Sequence, residues 1–206
     1  MCKSLKNLVL YIHGKGGSPE ESAHYKALFP DCRVLGLAYR AATPWEAGPE
    51  IRAAVEGLRA EYARITLVAN SIGACFSMWA GIDGMLQRAW FISPIVDLER
   101  LIRDMMGWAG VTEPELEARG LIHTAFGEDL SWDYLCRVRN HPLSWNVPTE
   151  ILYGSKDNLT AYETVAAFAE THPARLTVME GGAHWFHTEE QMAFLDRWIR
   201  ETKTTE

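Results

Sequence analysis

The chain is poor in the features that mark nucleic-acid-binding and membrane proteins. Its 206 residues include 20 Lys and Arg against 27 Asp and Glu, which gives a formal net charge of −7. Nucleic acids and anionic membrane surfaces attract basic proteins, so we expect neither as a partner. No apolar run approaches the roughly 20 residues that cross a bilayer. Residues 1–7 lead only into the short apolar run 8–12, which is too short for a signal-peptide core, so we expect a cytoplasmic protein.

Cysteine is also scarce, and its spacing is not that of a metal or redox site. The four cysteines are Cys2, Cys32, Cys75 and Cys136, and no two of them form a CxxC motif. Zinc sites and redox pairs use such short spacings, and small secreted domains carry denser cysteines. We therefore expect reduced thiols, no metal site and no cofactor.

What the sequence does have is an alternation of short apolar runs and helix-period segments. Hydrophobic residues make up 48% and charged residues 23%, as in an ordinary globular domain. Apolar runs predict strands at 8–12, 33–37, 65–69, 89–92, 151–153 and 176–179. Helical spacing predicts helices at 20–29, 49–63, 72–79, 161–170 and 189–200.

Strands that alternate with helices predict an α/β fold in which a parallel sheet has helices on both faces. The expectation is one domain over residues 1–206 with a six-stranded sheet, all strands parallel. Residues 97–146 break the alternation, because they contain helical pieces but no convincing central strand. We interpret them as an insertion that forms a small helical cap over the strand ends.

Ligands of such sheets bind beyond the carboxyl ends of the strands, so the residues that follow each strand are the candidate site. After the third predicted strand, Ala69-Asn70-Ser71-Ile72-Gly73 places a serine between small residues at a strand-to-helix turn. Small neighbours suit a nucleophile on a sharp turn, and a helix N-terminus stabilises negative charge. Serine is also a common helix N-cap, and this pattern alone leaves both interpretations open.

Two later strand ends carry a carboxylate and an imidazole. Asp157 follows the fifth predicted strand in the turn 154–158, and His184 follows the sixth, behind Gly181 and Gly182. A carboxylate there can accept a hydrogen bond from an imidazole. Taken singly, Asp157 is better explained as a turn-forming residue and His184 as a solvated loop residue.

Taken together, Ser71, Asp157 and His184 occur in the order nucleophile, acid and base, each after a strand. This order and placement resemble the α/β-hydrolase superfamily, most closely its small single-domain bacterial esterases and acyl hydrolases. The resemblance extends over nearly the whole chain, from His13-Gly14 to Gly182-Ala183-His184. In two respects the sequence departs from the family: Ala69 replaces the first glycine of the serine motif, and the chain begins at the family's third strand.

The resemblance implies a Ser71–His184–Asp157 triad and an oxyanion hole. The hole would use the backbone N–H of Ile72 and that of Lys15, with Gly16 as the neighbouring alternative for the second donor.

Three further side chains have expected roles in or beside this site. Asp97 is a rival for the acid, because some members of the superfamily place it after the fourth strand. His187 is expected to be a neighbour on the pocket wall or a solvated side chain. His13 is expected to brace the oxyanion loop.

Aromatic side chains suggest what the site binds. Trp185 and Phe186 follow the expected base, and the insertion adds Trp108 and Trp132 as further candidates for substrate binding. We expect a carboxylesterase-like serine hydrolase that acts on small, soluble carboxylic esters through an acyl-enzyme. An amide or peptide hydrolase and an acyltransferase would use the same triad, and a non-catalytic ligand-binding protein is the alternative outside enzymes. The oligomeric state stays open.

Overall fold

The computed structural model of the protein describes residues 6–141 and 143–203. The chain divides into two compact units, each described here by itself. The larger unit combines Met1–Val96 with Ser144–Glu206, and the smaller one is Asp97–Leu143. The predicted insertion at about 97–146 overlaps the smaller unit, and its function as a cap stays a prediction.

The larger unit is built on a six-stranded sheet in which every neighbouring pair is parallel. Its strand order is β2-β1-β3-β4-β7-β8. The strands are β1 (Lys6–Ile12), β2 (Arg33–Gly36), β3 (Tyr62–Asn70), β4 (Arg88–Ile92), β7 (Thr149–Gly154) and β8 (Ala174–Met179). The prediction of six parallel strands is therefore confirmed. All six carboxyl ends lie at one edge of the sheet, which is where the candidate residues were expected.

One face of the sheet carries a cluster of buried apolar side chains. These come from positions that the strand register aligns on a single face: Val9, Tyr11, Val34, Val68, Trp90, Ile92, Leu152 and Met179. Helix α7 (Glu189–Lys203) covers them with Leu195, Trp198 and Ile199, and the segment 25–29 adds Tyr25, Leu28 and Phe29. Burying this apolar area stabilises the unit by roughly 25 cal/mol per Å².

The opposite face is covered by helices that follow the strands. Helix α2 (Ile72–Trp79) contacts β1 and β3, and α1 (Pro44–Leu58) packs on α2. Helix α6 (Tyr162–Thr171) contacts β8. Helices on both faces of the sheet were predicted, and this prediction is confirmed.

Two of the predicted helices differ in the structure. The helix expected at 20–29 is a 3₁₀ helix, Pro19–Ala27. Ser22, Tyr25 and Leu28 are buried there at a spacing of three residues, which matches the three residues per turn of a 3₁₀ helix.

The helix expected at 49–63 begins and ends five residues earlier, as α1 (Pro44–Leu58). Pro44 is pre-organised for the first turn, and the Thr43 hydroxyl donates to the Glu46 carboxylate at 2.6 Å. At its other end, Tyr62 already belongs to β3 and pairs with the start of β1, so the helix cannot continue.

The smaller unit contains three helices and a hairpin. The helices are α3 (Leu98–Ala109), α4 (Glu113–Arg119) and α5 (Trp132–Arg139). The antiparallel strands β5 (Leu121–His123) and β6 (Asp129–Ser131) form the hairpin, which the sequence did not predict. A network of ion pairs joins the helices: Arg139 contacts Glu99 at 3.1 Å and Glu113 at 2.9 Å.

Candidate active site

Ser71 lies at the turn between β3 and α2 in a backbone conformation that serine rarely adopts. Its φ is 52° and its ψ is −121°, and its side chain makes no capping bond to the helix. Ser71 therefore occupies the N-cap position of α2, but its side chain does not cap the helix. A non-glycine residue at positive φ costs on the order of 1–3 kcal/mol, so the surrounding structure must hold the turn in place.

Hydrogen bonds from the end of β4 hold this turn. The Ser71 N–H donates to the Ile92 carbonyl at 3.0 Å, and the Ser71 carbonyl accepts from the Ile95 N–H at 3.2 Å. Between them, Ser93 also has positive φ, at 43°, and its buried hydroxyl has no partner among the described residues. The turn is therefore fixed by the neighbouring strand and not only by its own helix.

Two glycines let the backbone pass close to Ser71. A Cβ added to Gly73 would lie 2.5 Å from the His13 carbonyl oxygen and 2.7 Å from that of Ile12. A Cβ added to Gly14 would lie 3.2 Å from the Ser71 Cβ. Ala69, two residues before the serine, is fully buried between β1 and β4. The small residues of the predicted motif are thus required by close packing.

The three predicted catalytic side chains form a continuous chain of hydrogen bonds. The Ser71 Oγ lies 2.8 Å from His184 Nε2, and His184 Nδ1 lies 2.6 Å from Asp157 Oδ2. A carboxylate only accepts, so we assign the proton to Nδ1, and Nε2 then accepts from the serine hydroxyl. The Asp157 side chain is inaccessible to solvent and that of His184 is 17% exposed. Ser71 is half-buried.

The loop after β7 fixes the Asp157 carboxylate. While Oδ2 contacts the imidazole, Oδ1 accepts from the backbone N–H of Leu159 at 2.8 Å and of Thr160 at 3.0 Å. The Tyr153 hydroxyl donates to the Thr160 carbonyl at 2.7 Å and closes the same loop. Asp157 is thus a turn-forming residue and also the partner of His184, so its two interpretations are compatible.

Paired glycines bring the loops of Asp157 and His184 together. A Cβ on Gly154 would lie 2.4 Å from the Gly182 carbonyl oxygen. The Lys156 N–H donates to the same oxygen at 2.8 Å. Because the two loops cross at backbone distance, the histidine and the carboxylate can meet although 27 residues separate them.

The loop after β1 passes beside the serine. His13 is buried, its Nδ1 donates to the Gly14 carbonyl at 2.8 Å, and its ring stacks on Tyr39 at 4.4 Å. The Tyr39 hydroxyl donates to the His13 carbonyl at 2.7 Å. Lys15 follows as an exposed residue in the turn that the Gly17 N–H closes onto Gly14. His13 therefore braces this loop, as predicted, while the role of the Lys15 and Ile72 N–H groups as oxyanion donors stays a prediction.

A buried tyrosine beneath this loop was missed by the sequence analysis. The Tyr11 hydroxyl donates to Glu21 at 2.5 Å, and the Glu21 carboxylate lies against Gly17. Burial, followed by the neighbouring Tyr25, raises the pKa of Tyr11 well above its usual value, so the phenol stays neutral. The signal in the sequence was a polar aromatic residue within an otherwise aliphatic strand.

The aromatic candidates for substrate binding lie in different surroundings. Trp185 is 67% exposed and stacks on His187, whose Nδ1 donates to the Trp185 carbonyl at 2.7 Å. Phe186 is only 7% exposed and belongs to the hydrophobic cluster on the face that α7 covers, so its role in substrate binding stays a prediction. Trp108 is exposed against Phe126 in the smaller unit.

Trp132 is the first residue of α5 in the same smaller unit and packs under the Arg139 guanidinium. The roles of Trp108, Trp132 and Trp185 in substrate binding stay predictions.

The rival acid Asp97 is engaged in another way. Its side chain caps α3, and Oδ1 accepts from the Arg100 N–H at 2.9 Å. The imidazole of His184 contacts Asp157 instead. Of the two carboxylates, Asp157 therefore has the position that the acid needs.

Among the described residues, no group of three His, Cys, Asp or Glu side chains is arranged to hold a metal ion. In the described part of the chain, Cys32, Cys75 and Cys136 form no disulfide bond, and Cys2 lies outside it. None of the described helices is both long enough and apolar enough to cross a membrane.

Several solved structures share this architecture. Est1E from Butyrivibrio proteoclasticus, solved with bound ferulic acid, is 16% identical with a TM-score of 0.76, over 96% of this chain and 88% of that chain. Mouse alpha/beta hydrolase domain-containing protein 10 is 13% identical with a TM-score of 0.75, over 95% and 89%. An esterase from Pyrococcus furiosus is 18% identical with a TM-score of 0.62, over 97% and 81%. No family model and no curated protein matches the sequence.

These likenesses, together with the six parallel strands, show that the chain has the α/β-hydrolase fold. The predicted resemblance is confirmed at the level of the fold. At identities below 20%, the shared fold does not show that this chain has the activity of its neighbours.

Proposed function

We propose that this chain, an α/β-hydrolase in its fold, is a serine hydrolase that cleaves small carboxylic esters. The observation that carries the proposal is the hydrogen-bond chain from Ser71 Oγ through His184 to Asp157, at 2.8 Å and 2.6 Å. The positive φ of Ser71 adds to it, because strain of this kind persists where the surrounding structure enforces it for function.

The first half of the reaction acylates the serine. The Ser71 oxygen attacks the ester carbonyl while His184 Nε2 takes the hydroxyl proton. Asp157 keeps the proton of the imidazole on Nδ1 and stabilises the imidazolium that forms. The imidazolium then protonates the leaving alkoxide, which departs as the alcohol.

The tetrahedral oxyanion is bound by backbone donors. The Ile72 N–H lies at the start of α2, where the first N–H groups of a helix have no partner within the helix. The second donor is the N–H of Lys15, in the loop that Gly14 brings against Ser71. Loss of one such donor typically costs about 3–4 kcal/mol in the transition state.

The second half of the reaction frees the acid. Water attacks the acyl carbonyl while His184 accepts its proton, and the serine leaves as His184 returns that proton. Transfer to an alcohol or amine instead of water would use the same residues.

The acyl group that fits best is small and aromatic or apolar. Trp185 directly follows the base and exposes two thirds of its surface, so its ring is available for contact. Est1E, which shares the fold, binds ferulic acid, an aromatic carboxylic acid. A ring in the acyl group would stack on Trp185.

Labelling with a fluorophosphonate probe tests the proposal directly. We expect rapid labelling of the wild-type protein and none of Ser71→Ala, because only an activated serine attacks phosphorus. The wild type should also hydrolyse p-nitrophenyl acetate, and Ser71→Ala should lose about 10⁶-fold in turnover. The melting temperature of the variant should stay close to that of the wild type, which excludes misfolding as the cause.

The opposite results are equally clear. A folded wild-type protein that reacts with neither reagent would be a ligand-binding protein and not an enzyme. If the protein hydrolyses p-nitroanilides faster than the matched p-nitrophenyl esters, it is an amide hydrolase.

A further inference from the structure

A cavity lies at the amino edge of the sheet, at the end opposite to Ser71. Its volume is about 610 Å³. Its polar walls come from residues near the amino ends of neighbouring strands, among them Asn7, Arg64, Arg88, Glu150 and Arg175. The proposed triad lies beyond the other ends of the same strands, so the cavity is separate from the candidate active site.

The strand register explains why these side chains meet. Asn7 pairs with Arg64 between β1 and β3, and Glu150 pairs with Arg175 between β7 and β8. Trp90, two residues after Arg88, pairs with Glu150. Since side chains alternate along a strand, all of these residues point to the face that α7 covers.

The lining carries a surplus of positive charge. Arg64, Arg88, Arg175 and Lys203 line it with Glu150 as the only described carboxylate, so four positive charges and one negative charge leave +3. This surplus occurs in a chain with a net charge of −7. Random placement of charge on an acidic protein would not concentrate cations in one cavity.

The buried carboxylate of Glu150 binds two of these cations. The Glu150 side chain is only 5% exposed, and its Oε1 accepts from Arg88 at 2.9 Å and from the Arg175 Nε at 2.8 Å. One carboxylate cannot neutralise two guanidinium groups. The Arg175 side chain remains 57% exposed, so it can donate to a further partner.

The other two cations form no ion pair with a carboxylate among the described residues. The Lys203 Nζ donates to the neutral Leu28 carbonyl at 2.7 Å and lies 5.4 Å from the Phe29 ring. Arg64 is exposed and has neither a hydrogen bond nor an ion pair within residues 6–141 and 143–203. An anion would therefore find donors on three sides.

The apolar floor of the cavity and its Cys32 thiol indicate a binding site and not a catalytic site. Val9, Phe29 and Trp90 give an apolar base for a carbon skeleton. Burial, followed by the charge of Asp31, raises the pKa of the Cys32 thiol, which disfavours the reactive thiolate. The volume lies within the range of about 300–1,000 Å³ of small-molecule sites.

We propose that this cavity binds a small organic anion with at least two phosphate or carboxylate groups. Arg64, Arg175 and Lys203 contact these groups, and Glu150 holds Arg88 and Arg175 in position. Guanidinium groups bind both kinds of anion through paired hydrogen bonds, so the structure assigns their shared chemistry.

Isothermal titration calorimetry of the full chain with inorganic pyrophosphate and with citrate tests this inference. We expect one-to-one saturable binding of at least one of them, at constant ionic strength. Arg64→Gln should weaken that binding about tenfold or more, because a charge-assisted contact is lost. Arg59→Gln is the matched control: Arg59 is exposed at the same end of the unit, outside the cavity, and its loss should change the Kd less than about twofold.

Three results would overturn the proposal. The first is no saturable binding of either anion, and the second is equal weakening in Arg64→Gln and Arg59→Gln, which means unspecific charge attraction. The third is that the bound anion competes with p-nitrophenyl acetate with an inhibition constant equal to its Kd, which would place it at Ser71. Stronger binding of pyrophosphate than of citrate identifies phosphate as the preferred group, and the reverse identifies carboxylate.

Discussion

The two edges of the same sheet are built by different means. At the carboxyl edge, glycines and backbone hydrogen bonds bring Ser71, His184 and Asp157 into contact. At the amino edge, long charged side chains meet around Glu150. One edge depends on the position of the backbone and the other on the balance of charge.

The difference predicts how each edge fails. A backbone contact at van der Waals distance has no room for an added atom, so the carboxyl edge should be sensitive to shape. A guanidinium on a flexible stem tolerates small displacements but not the loss of its carboxylate, so the amino edge should be sensitive to charge. Three pairs of variants and one single variant test this contrast, from the largest expected effect to the smallest.

Removal of the charge on Asp157 should have the largest effect. In Asp157→Asn, Oδ1 can still accept from Leu159 and Thr160, but the amide would present N–H to His184 and favour the wrong imidazole tautomer. We expect kcat for p-nitrophenyl acetate to fall about 10⁴-fold with little loss of stability. Asp97→Asn is the control and should change kcat less than about twofold, since Asp97 caps α3. The reverse ranking would move the acid to Asp97.

A single methyl group at Gly154 should disrupt both stability and activity. Its Cβ would lie 2.4 Å from the Gly182 carbonyl oxygen, and neither backbone can yield without moving Asp157 or His184. We expect Gly154→Ala to lower the free energy of unfolding by about 3 kcal/mol in urea titrations. The control Gly57→Ala lies at an open position of α1. Its free energy of unfolding should instead rise by about 0.5–1 kcal/mol. Equal losses in the two variants would contradict the shape argument.

At the amino edge, neutralising Glu150 should matter more than any change of its size. Glu150→Gln keeps the volume but leaves Arg88 and Arg175 without their counter-charge, so we expect a loss of about 3 kcal/mol in the free energy of unfolding. Glu56→Gln, which removes the exposed pair with Arg52, should cost less than about 0.5 kcal/mol. A small loss for Glu150→Gln would show that the amino edge is not organised by charge.

The smallest expected effect concerns Tyr153, whose hydroxyl closes the Asp157 loop. Tyr153→Phe removes the bond to the Thr160 carbonyl and should cost about 1 kcal/mol of stability at neutral pH. Burial, followed by the charges of Asp157 and Glu163, raises the pKa of Tyr153 to about 12. The neutral phenol is thus favoured in the folded state, and its contribution is complete below pH 10 and is lost as the pH rises towards 12.

Urea titrations at pH 7 and pH 11 measure this contribution. The stability difference between the wild type and Tyr153→Phe should shrink at the higher pH. A difference that is independent of pH would mean that the Tyr153 hydroxyl is not held in its neutral form.

Much of the fold followed from the sequence because buried parallel strands have a strong signal. Apolar runs such as 8–12 and 65–69 are bounded by turn residues, and each of the six predicted strands is present. The hairpin of β5 and β6 could not be predicted in this way, because strands of three residues are too short to show alternation. The early start of α1 had a signal in Thr43 and Pro44, which fit a cap and a first turn.

The candidate site was predictable in its residues but not in its supports. Chain order and strand ends indicated Ser71, Asp157 and His184, while Gly154 and Tyr11 have roles that appear only when the loops and strands pack. The burial of Phe186 could not be predicted, because an aromatic residue beside a loop histidine looks the same in the sequence whether it faces the core or the solvent. The amino-edge cavity depends on register across five strands, which no single stretch of sequence contains.

The fastening of Ser71 to the end of β4 has a consequence for heat inactivation. Its amide and its carbonyl are both bonded to residues 92–95, at the centre of the sheet, so Ser71 cannot loosen before that centre does. The proposed hydrolase activity should then persist on warming until the whole larger unit unfolds. An assay run alongside calorimetry would show both transitions at one temperature.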